Sequence, residues 1–273
     1  MKLLFLGDVM GRAGRDAVAE RLPGLIATYG FDFVVVNGEN ASHGKGLTEG
    51  HFRGLRDAGA DIVTLGDHAF DQREALSYIE RETTLVRPIN YAPGTPGRGA
   101  MMAEGRNGHR VLVVNALGRV FLPPIDDPFR AVETAIAACP LGEQADAVIV
   151  DFHTEATSEI QAMGYFLDGR ATLVVGTHTH IPTSDHRILR GGTALMADAG
   201  MCGDFDSIIG TDYEEPLNRF LTGLPNGRFS PAEGEATLCG VAVETDPRTG
   251  LARHVVPVRV GGVLAQALPD FPA

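Results

Sequence analysis

Cysteine is scarce in this 273-residue chain, and the three present, Cys139, Cys202 and Cys239, are odd in number and widely spaced, with no C-x-x-C pair. That argues against a disulfide scaffold and a thiolate metal or redox site, and it leaves reduced packing thiols. Lysine is absent after Lys45 and the arginines are scattered, so no basic stripe exists to track a nucleic-acid backbone. With 23 basic against 35 acidic side chains the net charge is −12, and a small anionic ligand would need a local reversal of the field, which bound metal ions supply. Long hydrophobic runs are missing as well: no apolar stretch exceeds five residues, whereas a membrane span needs about 20. The apolar start over residues 1–6 is cut short by Asp8, with no small-residue cleavage site after it, so it reads as a strand and the chain as cytoplasmic.

Several nucleotide and hydrolase motifs fail on spacing. Gly7, Gly11 and Gly14 are not spaced as the dinucleotide fingerprint G-x-G-x-x-G, and residues 38–45 hold one residue too many for a P-loop. No G-x-S-x-G nucleophile elbow occurs. A TIM-barrel metal hydrolase carries its His-x-His pair early, on the first strand, and here the pair comes at residues 178–180. Glycine, at 34 residues, is about 12% against an average near 7%, which implies many tight turns.

A chain of this length buries roughly three quarters of its unfolded surface, enough for a large core. Short β-rich runs alternate with helical stretches. Strands are expected at residues 3–7, 33–37, 61–65, 110–115, 147–151 and 172–176. Helices are expected at 14–29, 49–58, 71–80, 128–138 and 155–166. The runs FVVV, VLVV and AVIV are continuous rather than alternating, as when helices cover both faces. From residue 181 the pattern changes to antiparallel strands at 183–190, 192–197, 236–244 and 252–260. Residues 218–221 are expected to close a short helix, and 222–234 to form a surface loop. The reading is a single α/β domain, residues 1–273, with a helix-covered mixed sheet that finishes in an antiparallel layer.

What ends each strand carries the chemistry. The first five-residue run leads into Asp8, FVVVNG into Glu39 and Asn40, DIVTLG into Asp67 and His68, AVIVDF into His153, and TLVVG into His178 and His180. Ligands of open α/β sheets sit outside the carboxyl ends of the strands, so these groups converge on one crevice. Steps of 31 and 28 residues from Asp8 to Glu39 to Asp67 are each about one βαβ unit. Taken singly, an Asp after a strand reads as a helix N-cap, Glu39-Asn40 as an Asx turn, and a strand-end His as a hydrogen-bonded structural group. Together they form a carboxylate, carboxamide and imidazole set suited to Mn, Fe or Zn, with more ligands than one ion needs. Two ions sharing a carboxylate is the simpler reading, with His178 and His180 projecting to one side as paired imidazoles. His43, just after Asn40, is the further histidine to watch.

With these clusters in this order, the chain resembles the calcineurin-like metallophosphoesterases, and within them the bacterial YmdB-like branch, over nearly its full length. The supporting segments are GDVMGRAGR, NALGRVFLPPIDDPFR, DFHTEATSE, THTHIPTSDHRI and DAGMCGDFDSIIG. The resemblance implies a four-layer α/β/β/α sandwich with mixed sheets and a two-metal centre between them. It places Asp8, Glu39, Asn40 and His180 on one ion and Asp67, His153 and His178 on the other, with Glu39 bridging and His68 a non-ligand beside the phosphate. The implied activity is hydrolysis of phosphodiesters by a metal-bridged hydroxide, opening 2′,3′-cyclic nucleotides to 3′-nucleotides. The implied partner is a small nucleotide, with no duplex nucleic acid and no membrane; self-association stays open. The chain departs from the family in one place, with Asp67 where the family has Asn. Two rival readings stand beside this one, a weakly active metal-dependent nucleotide- or RNA-binding regulator and a phosphomonoesterase on the same scaffold.

Overall fold

The computed structural model describes residues 1–271; the last two residues of the expected domain lie outside it. The strands are β1 Lys2–Leu6, β2 Phe33–Asn37, β3 Ile62–Thr64, β4 Leu85–Val86, β5 Ala100–Glu104, β6 Arg110–Leu117, β7 Ala147–His153, β8 Leu173–Thr177, β9 Arg187–Ile188, β10 Ala194–Met196, β11 Gly203–Asp204, β12 Ala236–Thr245 and β13 Ala252–Val260. The helices are α1 Gly11–Tyr29, α2 Glu49–Asp57, α3 Ala75–Tyr78, α4 Pro128–Ala138, α5 Thr157–Phe166 and α6 Glu214–Thr222. Local chemistry sets several ends. Thr48 caps α2 through the His51 N–H, and Asp127 caps α4 with Pro128 following. Gly30, at φ 65°, ends α1 in the left-handed region.

The strands form two mixed sheets, in the orders β11-β12-β1-β2-β3-β4, with β13 beside β12, and β5-β6-β7-β8-β10-β9. Side chains alternate between faces along a strand, and this alternation builds the layers. Leu3, Phe5, Phe33, Val35, Val113, Ile149 and Val175 meet in one core between the sheets. Their neighbours Leu4, Leu6, Val34 and Val36 pack on the outer side against Val18 and Leu22 of α1 and Phe52 of α2. Leu112, Val114, Val148 and Val150 pack against Val132 of α4 and Ile160 of α5. The result is the α/β/β/α order that the resemblance implies, where the periodicity alone had given one sheet.

Several expectations need correction. The strand at 194–196 runs antiparallel to β9 but parallel to β8, because the segment after β8 carries the chain back across the sheet end before β10 enters. The expected helix at 71–80 shrinks to α3. Asp71 accepts from the His68 ring and the Gln72 amide donates to Ser42 and Lys45 carbonyls, which holds these residues in turns. The expected strand at 183–190 shrinks to β9, while the short helix expected to close over 218–221 is α6, ending at Thr222. Strands β4, β5 and β11 were not expected; β5, AMMAE, lacks β-branched residues and is a half-exposed edge. No helix among the described residues is long and apolar enough to cross a membrane.

Gly176 near the end of β8 shows how tightly the second sheet closes. A Cβ there would overlap the Ala197 carbonyl, just after β10. Gly176→Ala is expected to cost ~1–3 kcal/mol, the usual penalty for overpacking a site that cannot relax. Urea unfolding measures it, and an unchanged midpoint would contradict the close approach of β8 and β10.

Candidate metal centre

Backbone pairing continues past the strand ends and aligns the loops that carry the polar residues. The Val9 N–H donates to the Asn37 carbonyl and the Gly38 N–H to the Thr64 carbonyl, at 2.9 Å each. His153 is the last residue of β7, paired with Thr177 of β8. Asp8, Glu39, Asn40, Asp67, His153, His178 and His180 are thereby brought together over the carboxyl ends of β1, β2, β3, β7 and β8. Asp8 does not cap α1, whose N-terminus has no side-chain cap. Nor does Asn40 form the Asx turn; Asn37 does, its Oδ1 accepting from the Glu39 N–H at 3.1 Å.

Hydrogen bonding dictates what the imidazoles present to this space. Thr177 Oγ donates to buried Asp151 at 2.7 Å and so accepts from His153 Nδ1 at 2.9 Å. Asp151 is held in turn by Asn37 and Thr64. That chain turns the Nε2 lone pair of neutral His153 inward. There it meets Glu39 Oε1 at 3.1 Å, Asp67 Oδ1 at 3.2 Å and His178 Nδ1 at 3.0 Å. His178 is turned the same way, with Nε2 3.3 Å from Glu155. Ligand atoms of Glu39, Asp67, His153 and His178 all lie within 4.8 Å of one another. Lone pairs this close repel unless a cation or proton stands among them.

Asp8, Asn40 and His180 form the adjoining half. Asp8 Oδ2 accepts from the His178 N–H at 3.2 Å, and Asp8 Oδ1 lies 3.9 Å from His153. His180 donates Nδ1–H to the Ile209 carbonyl at 2.7 Å, and its Nε2 faces the Asn40 amide at 2.9 Å. Asp8 Oδ1, Glu39 Oε1 and Asn40 Oδ1 are buried with no hydrogen-bond partner among the described residues. Three stranded oxygens beside inward imidazole nitrogens are the donor set of a hard-to-borderline cation, and the residues fit metal ions.

His178 and His180 are not a paired strand-like couple as expected. Both follow β8 at positive φ, 106° and 67°, and face opposite halves of the site. Buried Asp198 holds this loop, accepting from the Thr179 N–H and hydroxyl and from the Gly200 N–H at 2.7–2.9 Å. His68 sits at the edge, its backbone N–H on Glu39 Oε2 at 3.2 Å and its Nδ1 3.0 Å from Asp71. Asp67 Oδ1 stands 3.9 Å from its Nε2. His43 is exposed, with its ring 6.5 Å from that of His51, outside the cluster. The supporting groups Asn37, Asp71, Asp151, Glu155, Thr177 and Asp198 were not singled out from sequence. A readable signal existed for Asp151 alone, an acidic residue inside the apolar run AVIVDF.

The electrostatics repeat the demand for positive charge. Burial opposes charge on His153, but Glu39, Asp67 and Asp8 hold its imidazole well above the ordinary value, so without metal a proton fills the gap. Burial pushes Asp8 up to about 7, with Glu39 adding, and pushes Asp198 up to about 7. Burial would raise Glu39 and Asp67 too, but His153 holds both below their ordinary values. Burial and the charge of His153 push His178 down to about 4.

These shifts give the metal-free protein a definite pH response. At pH 6.5–8 the folded state holds protons on Asp8, Asp198 and His153 that the unfolded chain has largely released, so stability falls as pH rises. His178 and His180, both lowered, oppose this chiefly below their unfolded value of 6.5. The melting temperature of metal-free protein is expected to drop from pH 6.5 to pH 8, and Mn²⁺ is expected to stabilise more at pH 8, where fewer protons must leave. A metal-free protein that melts higher at pH 8 would contradict this arrangement.

Comparison with known proteins gives the family and the fold. The chain is 47% identical over 249 residues to the 2′,3′-cyclic-nucleotide 2′-phosphodiesterase of Bacillus subtilis (strain 168), covering 91% of this chain and 93% of that protein. A structure of a hypothetical protein from Thermus thermophilus superposes with a TM-score of 0.89 at 42% identity, covering 96% of this chain and all of that one. A structure described as a novel phosphatase from Mycoplasma pneumoniae gives a TM-score of 0.87 at 35% identity, covering 96% of this chain and 93% of that one. The model of the YmdB-like protein family matches residues 4–258, and the chain belongs to that family.

Proposed function

We propose that residues 1–273 form one metallophosphoesterase domain that binds two metal ions, Fe, Mn or Zn, and opens 2′,3′-cyclic nucleotides to 3′-nucleotides. The observation that carries this is the convergence of inward imidazole nitrogens, three carboxylates and three partnerless buried oxygens at one end of an open pocket. The activity named for the Bacillus subtilis relative, at 47% identity, supports the substrate class. Asp8, Asn40 and His180 would hold one ion, Asp67, His153 and His178 the other, and Glu39 both. Bound there, two such ions supply neutralisation of phosphoryl charge and a water acidified for attack on phosphorus.

The chain's own residues would do the rest. Asp71 takes the Nδ1–H of His68 and so fixes the ring; as the imidazolium, with both ring nitrogens protonated, His68 also carries an Nε2–H to donate at the edge of the pocket. As the P–O2′ bond breaks, O2′ takes that proton, and the water oxygen stays on phosphorus in the 3′-phosphate. Lys45, at the pocket wall, adds a positive charge facing the anionic substrate. Opening a five-membered cyclic diester releases no separate group, so no leaving-group tunnel is required.

A panel of 2′,3′-cyclic AMP, bis(p-nitrophenyl) phosphate and p-nitrophenyl phosphate, run with Mn²⁺, tests the reading. The diesters should be hydrolysed faster and the cyclic nucleotide should yield 3′-AMP. A faster monoester would favour the phosphatase reading, and tight nucleotide binding without turnover would favour the regulator. His68→Ala is expected to lower kcat by ~10²–10⁴ with metal content intact, as for loss of a positioned proton donor. Loss of metal in that variant would make His68 a ligand instead.

A further inference from the structure

The pocket above the metal centre, about 350 Å³, has two unlike ends. One carries Glu39, Asn40, Lys45, His68, His178 and His180. The other is an uncharged wall whose rings and branched side chains come from a different part of the chain, Ile208, Ile209, Phe220 and Phe229. We propose that this wall is a nucleobase subsite, with Phe220 and Phe229 stacking on the base of the substrate while its cyclic phosphate lies at the metal centre. The inference rests on the phosphodiesterase reading and names the part of the substrate that reading leaves unassigned.

The wall shows three properties of a stacking platform. First, Phe220 is exposed at 83% and Phe229 at 52%, two exposed aromatic rings lining one pocket. Second, Phe229 is braced by a neighbouring cation. The Arg219 guanidinium lies 4.1 Å over its ring, anchored by Glu215 at 2.6 Å and by the Gly227 carbonyl at 3.0 Å, and Arg219 itself does not line the pocket. Third, the wall is joined to the metal centre. Ile209 lines the pocket, and its carbonyl takes the Nδ1–H of His180 at 2.7 Å. The segment carrying Phe229 is tied back to the same loop through the Asp212 N–H on the Ser230 carbonyl at 2.9 Å.

An uncharged, partly aromatic surface in the same pocket as the phosphate-binding end matches a base joined to a ribose cyclic phosphate. Base stacking tolerates purines and pyrimidines alike because every base has a π-face.

Glycerol 1,2-cyclic phosphate carries the same five-membered cyclic diester without a base, so it separates the two ends of the pocket. The ratio of kcat/KM for 2′,3′-cyclic AMP to that for the glycerol ester should fall about tenfold in Phe220→Ala and in Phe229→Ala, and Phe220→Trp should keep it. Binding gives a readout without turnover: metal-loaded variants should bind 3′-AMP about tenfold more weakly relative to inorganic phosphate. An unchanged substrate ratio together with an unchanged AMP-to-phosphate ratio would overturn the subsite. So would a change of oligomeric state in Phe220→Ala with both ratios kept, which would make the wall an interface between copies. Wild-type protein inactive on both cyclic esters would sink the phosphodiesterase reading, and the AMP-to-phosphate comparison would still decide the subsite.

Discussion

The hydrogen bond from His153 Nδ1 to Thr177 Oγ, backed by Asp151, is the constraint on which the centre depends. It fixes the tautomer, and with it the direction of a lone pair in a space already holding the oxygens of Glu39 and Asp67. Its three residues lie at the ends of two paired parallel strands. Asn37 and Thr64 reach across from the first sheet to hold Asp151, so the contact also ties the two sheets together above their shared core. A buried carboxylate satisfied by three donors costs far less than a bare one, which is how Asp151 is tolerated there.

The same logic orders the remaining charges. The chain is acidic overall, and Asp67 adds a third carboxylate to the cluster beside Asp8 and Glu39, so the cluster needs positive charge among its buried oxygens. Metal ions would convert an anionic hollow into a phosphate-attracting one, while Lys45 adds to the field at the wall. Beyond that field the lining turns apolar within the same pocket, so charge and stacking act on different parts of one ligand.

Much of this was legible in the sequence because strand ends in parallel sheets have fixed positions. Asp8, Glu39 and Asp67 close successive parallel strands of one sheet, and the repeat between them marked a shared edge. The second sheet was not legible as separate, since VLVV and AVIV look alike whichever sheet they join. The fold supplied the partition through β12, which returns from the far end of the chain to pair with β1. Alternation led the pair of histidines astray, because β8 stops at Thr177 and the loop turns left-handed, held by an aspartate twenty residues on. The aromatic wall gave no periodic signal; Phe220 and Phe229 lie on a short helix and a Gly/Pro-rich loop.

The most direct test of the shared centre is elemental analysis of the purified protein alongside Glu39→Ala. Circular dichroism must show that both are folded. If Glu39 joins two ions, wild-type protein carries about two equivalents and the variant well below one, since both ions lose a ligand at once. A folded Glu39→Ala protein that keeps one full equivalent would contradict the account.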